Sequence, residues 1–173
     1  MNNLPTPYNR IDVALTEWMA RHGIVLLRVS LGVVFLWFGA LKFFPGLSPA
    51  QTLAGTTIAT LSFGMVSPGV AVPVLAAWEC LIGLGLIVGY ALRATLFLLW
   101  LQMIGTVTPL FLFPHECFTV VPIAPTLEGQ YIIKNLVLVS AGLVIGATVR
   151  GGAVIANPVA AQIAVTKEAE IEG

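Results

Sequence analysis

The sequence predicts an all-α, polytopic membrane protein: a four-helix transmembrane bundle preceded by an N-terminal interfacial amphipathic helix. Three observations carry that expectation. The first is composition. Of 173 residues, 58% are hydrophobic and 9% charged, whereas a soluble domain has about a quarter of its residues charged. The second is a set of four apolar runs, 24–44, 69–90, 93–113 and 131–149. Each is long enough to cross a hydrocarbon core roughly 30 Å thick at about 1.5 Å per residue. The third is that Arg28, Glu79 and Lys134 lie inside these runs, with Lys42 near an end. A charge at membrane depth costs roughly 2.5–3.5 kcal/mol on insertion scales, so it is expected to face a partner or a polar cavity.

Four spans with short connections leave no room for a second domain. The expected division is an N-terminal cytoplasmic segment at 1–23, a transmembrane domain at 24–150 and a cytoplasmic C-terminal tail at 151–173. The net charge is zero, so no basic surface points to nucleic acid. The first twenty residues lack a continuous apolar stretch and contain Asp12 and Glu17, so no cleaved leader is expected.

Residues 9–22 read as a helix ahead of the first span. Asn9 suits an N-cap, and Asp12 falls in the first turn, where a negative charge complements the helix dipole. Ile11, Leu15, Trp18, Met19 and His22 follow helical spacing. A stripe with Trp on its apolar side and Arg21 near the boundary suits a membrane surface; a plain lead-in to the first span is the other reading. The first loop, 45–68, carries no charge. Its Ser48-Pro49 pair is a helix-start signal, and Leu53, Ala54, Ile58 and Leu61 then make one apolar face. A short helix on, or dipping into, the interface is expected. Residues 90–93 join the second and third spans tightly enough to make them antiparallel neighbours. Pro109 should kink the third span or end its regular part. The third loop, 114–130, holds three prolines with His115, Glu116, Cys117 and Glu128, and is expected to be extended over the outer mouth. The C-terminal Lys167, Glu168, Glu170 and Glu172 suggest a frayed polar end.

Orientation follows from Lys and Arg. Arg10 and Arg21 precede the first span, Arg93 lies in the second loop, and Arg150 and Lys167 follow the fourth span. Neither the first nor the third loop has a Lys or Arg. The positive-inside rule therefore places both termini in the cytoplasm, and Cys117 is expected on the outer side, accessible to labelling. Cys80 and Cys117 differ in depth by about 15 Å, beyond the roughly 7 Å that a disulfide tolerates between Cα atoms.

Helical phase groups the polar residues. At 100° per residue, Arg28, Gly32, Phe35, Gly39 and Lys42 share one face of the first span. Glu79 shares a face with Val72, Ala76, Gly83 and Leu86; Gly85 and Gly89 form a second small-residue pair. Gln102 and Thr106 line up with Pro109, and Asn135 with Gly142 and Gly146. Small residues let helices approach closely, so these faces should point inward. Glu79 has too short a stem to reach a headgroup. It is expected either in a buried ion pair, with Arg28 first and Lys42 or Lys134 as alternatives, or lining a polar ligand or proton site. Lys42 and Lys134 can instead snorkel outward. Gln102 and Asn135 read either as interhelical glue or as ligands. Arg28, Glu79 and Gln102 form the candidate cofactor-binding set; Trp37, Phe35, Trp78 and Trp100 are the aromatics available to line a flat apolar cavity among the first three spans.

Several chemistries are disfavoured. His22 and His115 fall on opposite sides, so they cannot form a bis-histidine haem site. The His115-Glu116-Cys117 triplet has no second cluster to complete a metal site. No haem or metal is expected, and no phosphate-binding loop or nucleophile–base pair is present.

The stretch RVSLGVVFLWFGALKFFP, with Arg28, two glycines and Lys42, resembles the opening segment of the DoxX family. Glu79 in AAWECLIGLGLIVGY, Arg93 in ALRAT, and the segment GQYIIKNLVLVSAGLVIGA resemble the rest of it, over about residues 24–150. The resemblance implies a four-helix bacterial inner-membrane protein linked to redox or oxidative-stress systems, thiosulfate:quinone oxidoreductase subunits among them. By position, Arg28, Lys42, Glu79 and Lys134 are the family-like polar residues, and quinone is the implied cofactor. Two functional readings stand. One is a membrane subunit of a quinone-linked redox system. The other is a non-catalytic anchor or assembly subunit that docks protein partners through its small-residue faces and outer loops. A small-solute carrier is disfavoured, because four spans without a repeat do not fit that architecture.

Overall fold

Apolar runs with few internal prolines leave the backbone one way to satisfy itself in lipid, which is to hydrogen-bond within its own helix. The computed structural model describes residues 7–48 and 51–172 and shows that outcome. Its elements are α1 (Pro7–Leu41), α2 (Gln51–Leu61), α3 (Pro68–Val88), α4 (Leu92–Val107), α5 (Pro109–Leu112), α6 (Pro114–Cys117), β1 (Phe118–Val120), β2 (Ala124–Pro125), α7 (Leu127–Ala147) and α8 (Pro158–Glu172). Four of the helical segments are long and apolar enough to cross a membrane: Arg10–Leu41, Pro68–Val88, Leu92–Leu112 and Leu127–Ala147. They pack together, α1 chiefly on α3, and α4 on both α3 and α7. No more than 39% of any span is buried against protein, so most of each helix surface is left for lipid.

The first helix departs from expectation. Residues 9–22 do not form a separate interfacial helix; they continue into the first span as one 35-residue helix, about 52 Å long. The change from mixed to apolar sequence near Gly23 marks a change of surroundings, not a break in the backbone. No proline occurs between Pro7 and Pro45 to interrupt the hydrogen-bond ladder.

Other signals act locally as their chemistry dictates. Pro68 stands at the first position of α3 after Ser67. Gly89, with φ 77°, ends α3 in the left-handed region, its N–H donating to the Gly85 carbonyl. The α3–α4 turn is short, so the two helices are antiparallel neighbours. Pro109 ends the regular part of the third span, and α5 restarts there. Thr126 caps α7 by accepting from the Gly129 N–H at 3.2 Å.

The first and third loops are more ordered than the sequence suggests. The Ser48-Pro49 signal lies partly outside the described residues, but α2 follows it. Its Leu53, Gly55 and Thr57 are buried, and it packs on α3 and α5. In the third loop, β1 and β2 pair antiparallel, Phe118 against Pro125 and Val120 against Ala124. Below them Leu53, Cys117 and Ile132 form a small second core. The C-terminal segment is helical as α8, not frayed.

Cys117 corrects another expectation: it is 0% exposed. Burial, and then the neighbouring Glu116 and Glu128, pushes its thiol above the usual range, so little thiolate is present for labelling. An even number of candidate spans places the residues before the first and those after the fourth on one side. We expect that side to be cytoplasmic, and the test needs new cysteines. In a chain whose own cysteines are replaced by alanine, Ile123→Cys, at an 81% exposed position, should react with an impermeant maleimide in intact cells. Lys167→Cys, also exposed, should react only after lysis. The reverse pattern inverts the topology.

Candidate functional site

The polar centre is set by the register between α1 and α3. Gly32 and Gly39 bring the two antiparallel helices into close approach. A Cβ on Gly32 would meet the Gly83 carbonyl at 2.8 Å, and one on Gly39 would meet the Glu79 Cβ at 2.8 Å. This places the C-terminal end of α1 opposite the middle of α3. The first two turns of α3 rise beyond it, and α2 covers them, with Gly55 against Pro68 and Val72.

Lys42, just past the end of α1, therefore lies within a turn of Glu79. Helical side chains lean toward the N-terminus of their own helix. Lys42 leans down α1 and Glu79 leans up the antiparallel α3, so the two converge. Lys42 Nζ donates to Glu79 Oε2 at 2.6 Å and to the Phe38 carbonyl at 3.4 Å. Both ion-pair residues are buried, at 9% and 7% exposure. From α4, Gln102 Nε2 donates to the other carboxylate oxygen, Glu79 Oε1, at 2.7 Å. The carboxylate is thus held by a cation from one helix and an amide from another.

Arg28 is not part of this centre. Its Nη1 donates to the Leu86 carbonyl at 2.8 Å, and its guanidinium lies against Gly89. That is ten residues along α3 from Glu79, or about 15 Å. The expected Arg28–Glu79 pair fails because α1 stands lower relative to α3 than equal span depths imply. Lys134 is absent from the centre too: it is exposed on α7, 5.7 Å from the Tyr131 ring centroid. Of the candidate set Arg28, Glu79 and Gln102, the fold joins the last two and adds Lys42, which the sequence offered only as an alternative. The 28/32/35/39/42 face was the available signal for Lys42, and the outward-snorkelling reading obscured it.

One polar atom at the centre has no partner. Gln102 Oε1 is buried and receives no hydrogen bond. Rotating the amide would turn that oxygen toward the Glu79 carboxylate, so the ion-paired state fixes the orientation with the acceptor open. A buried acceptor of this kind calls for a donor, either water or a ligand hydroxyl.

The four candidate aromatics do not line one cavity. Phe35 is in the core. The Trp78 indole N–H is bound to the Leu98 carbonyl at 3.2 Å. Trp100 packs partly buried near Gly142, and Trp37 is 65% exposed on the lipid side. Trp37 instead helps form an apolar groove of about 370 Å³ along the C-terminal part of α1, with Val33, Leu36, Ala40, Leu41 and Phe44. The groove lies on the face of α1 opposite the buried Gly32, Phe35, Gly39 and Lys42, and so away from the ion pair. On the opposite side of Leu36, its carbonyl accepts a weak bond from Cys80 Sγ at 3.8 Å.

The small-residue faces are used inside the bundle. Gly32, Gly39 and Gly83 serve the α1–α3 contact, Gly85 faces Thr95 of α4, and Gly142 and Gly146 face Leu99 and Leu96. Among the described helical glycines of the third span, Gly105 has no neighbour within 4 Å of an added Cβ.

A family model described as DoxX matches residues 23–115, more than half of the chain. The match runs from the apolar part of α1 to the start of α6 and includes Lys42, Glu79 and Gln102, but stops short of α7. No curated protein and no solved structure gives a match.

Proposed function

We propose that this chain, which belongs to the DoxX family, is a membrane subunit of a quinone-linked redox system, with Lys42, Glu79 and Gln102 as its polar site. The observation that carries the reading is the buried carboxylate held from two helices beside an open acceptor, Gln102 Oε1. An acceptor left open by the ion-paired arrangement is what a hydroxyl-bearing headgroup would use. Lys42 Nζ is positioned to donate to a carbonyl oxygen and Gln102 Oε1 to accept from a hydroxyl. A bound quinone would supply two-electron, two-proton chemistry; the protein's part is to orient the headgroup and exchange a proton at the Glu79 carboxylate. The anchor reading keeps its loops but loses its glycine faces, which are occupied by the chain's own helices.

The test is purification with native partners in mild detergent, followed by extraction and assay of quinone. Quinone should copurify, and Gln102→Leu should lower both its content and any quinol-coupled rate of the complex by about tenfold or more, the loss expected when a polar handle disappears. No copurifying quinone, together with unchanged rates in Gln102→Leu and Glu79→Gln, overturns the proposal in favour of an assembly subunit.

A further inference from the structure

The opposite end of the bundle carries a different chemistry. Three close approaches set its levels: Gly32 on Gly83, Gly85 on Thr95, and Gly146 on Leu96. Together they bring Arg28 of α1, the Gly89–Ala91 turn with Arg93 of α4, and Arg150 after α7 to a common height. Each arginine directly follows a residue packed on the same core cluster, Leu27, Leu92 and Val149 respectively. The three backbone positions are therefore at one end of one core, on α1, on α4 and just after α7.

Among the described residues none of the three forms an ion pair. The segments forming this end, 23–31, 86–96 and 145–157, contain no Asp or Glu. Among the described residues the one ion pair is Lys42–Glu79, at the far level. Arg28 is half-buried and uses one guanidinium N–H, toward Leu86. A guanidinium carries five donors in a fixed fork that matches phosphate oxygens. Tyr90, 81% exposed on the turn, is placed where aromatic side chains meet headgroups. The α4 N-terminus lies at the same height; its cap residue, Ala91, offers no side-chain acceptor to the first N–H groups. Arginines gathered at one end of a helix bundle suit a phospholipid headgroup.

We propose that Arg28, Arg93 and Arg150 form a binding site for the phosphate of an anionic phospholipid, whose acyl chains lie along the exposed apolar faces of the neighbouring spans. This site is independent of the quinone reading and lies on the other side of the bundle from Lys42. It commits to a lipid because Arg28 is reached at the level where the spans leave the hydrocarbon, where a diffusing anion has no apolar face to add.

The experiment uses the full chain in detergent, with bound lipid followed by native mass spectrometry and by the thermal unfolding midpoint. The probes are phosphatidylglycerol, phosphatidylcholine and inorganic phosphate. Phosphatidylglycerol should bind at least tenfold tighter than phosphatidylcholine and raise the midpoint, while inorganic phosphate at equal concentration should not. An arginine near an anionic surface contributes about fivefold to binding, so the double variant Arg93→Gln/Arg150→Gln should weaken phosphatidylglycerol by about 25-fold. Arg28 stays unaltered in that variant because its bond to Leu86 belongs to the α1–α3 contact, and an unchanged lipid-free midpoint shows that the bundle is intact. Equal binding of the two lipids, equal stabilisation by inorganic phosphate, or undiminished phosphatidylglycerol binding by the double variant each overturns the site.

Discussion

Glu79→Ala is expected to be among the most damaging single substitutions in the protein. It leaves Lys42 buried with the Phe38 carbonyl at 3.4 Å as its remaining partner, and it takes the acceptor away from Gln102 Nε2. Removing one member of a buried pair typically costs roughly 3–5 kcal/mol, because the other charge stays behind uncompensated. An orphaned amide donor adds about 1–3 kcal/mol. Glu79→Gln should do less harm, since its carbonyl can still accept from one of the two donors and its amide can donate to Gln102 Oε1. The double variant Lys42→Met/Glu79→Met removes both charges together, and exchanging a buried pair for apolar residues of similar volume is often close to neutral. The thermal midpoint in mild detergent should therefore fall most for Glu79→Ala and Lys42→Met alone, and recover in part in the double variant, where Gln102 Nε2 still lacks its acceptor. A Glu79→Ala protein that unfolds at the wild-type temperature would show that the pair does not hold α1 to α3.

Helical phase made the inward faces readable. Gly32, Phe35, Gly39 and Lys42 are all buried along α1, as are Val72, Ala76, Glu79, Gly83 and Leu86 along α3. The reason is physical: a helix that must approach another within a bundle concentrates small residues and any obligatory polar group on the contact side. Gln102 was legible for the same reason, since a long amide on a lipid-facing side would have no partner.

Register was not legible, and it decides which cation meets Glu79. Equal span depths put Arg28 within reach. The glycine contacts shift α1 along α3, taking Arg28 to the α3–α4 turn and bringing Lys42 to the carboxylate. A sequence gives each glycine's angle around its helix, not which glycine on the facing helix it meets. The same limit hid the role of α2, whose uncharged sequence suits either an interface or a packed cap. It also hid the continuity of α1, because hydropathy reports the surroundings of a helix and says nothing about whether it bends. The open Gln102 Oε1 depends on three side chains from three helices, and no pattern within one helix encodes it.

Gly83→Ala should separate α1 from α3. A Cβ at Gly83 would lie 2.5 Å from the Leu36 backbone nitrogen, 2.7 Å from the Leu36 Cβ and 2.8 Å from the Gly32 carbonyl. Two of these atoms are backbone and the third is fixed to it, so no side-chain rotation relieves the clash. The helices must part. Overpacking of this kind costs roughly 1–3 kcal/mol, occasionally more, and it outweighs the ~0.5–1 kcal/mol that alanine gains over glycine inside a helix. Gly105→Ala is the matched control, because nothing lies within 4 Å of its added Cβ; it should leave the midpoint level or slightly raised. The ion pair lies one turn along α3 from Gly83, so a helix shift there should loosen it. Glu79→Ala should then cost less in a Gly83→Ala background than in the wild type, the non-additivity expected of residues that share one contact. Equal midpoints for Gly83→Ala and Gly105→Ala, or strict additivity with Glu79→Ala, would show that the close approach at Gly83 does not position the Lys42–Glu79 pair.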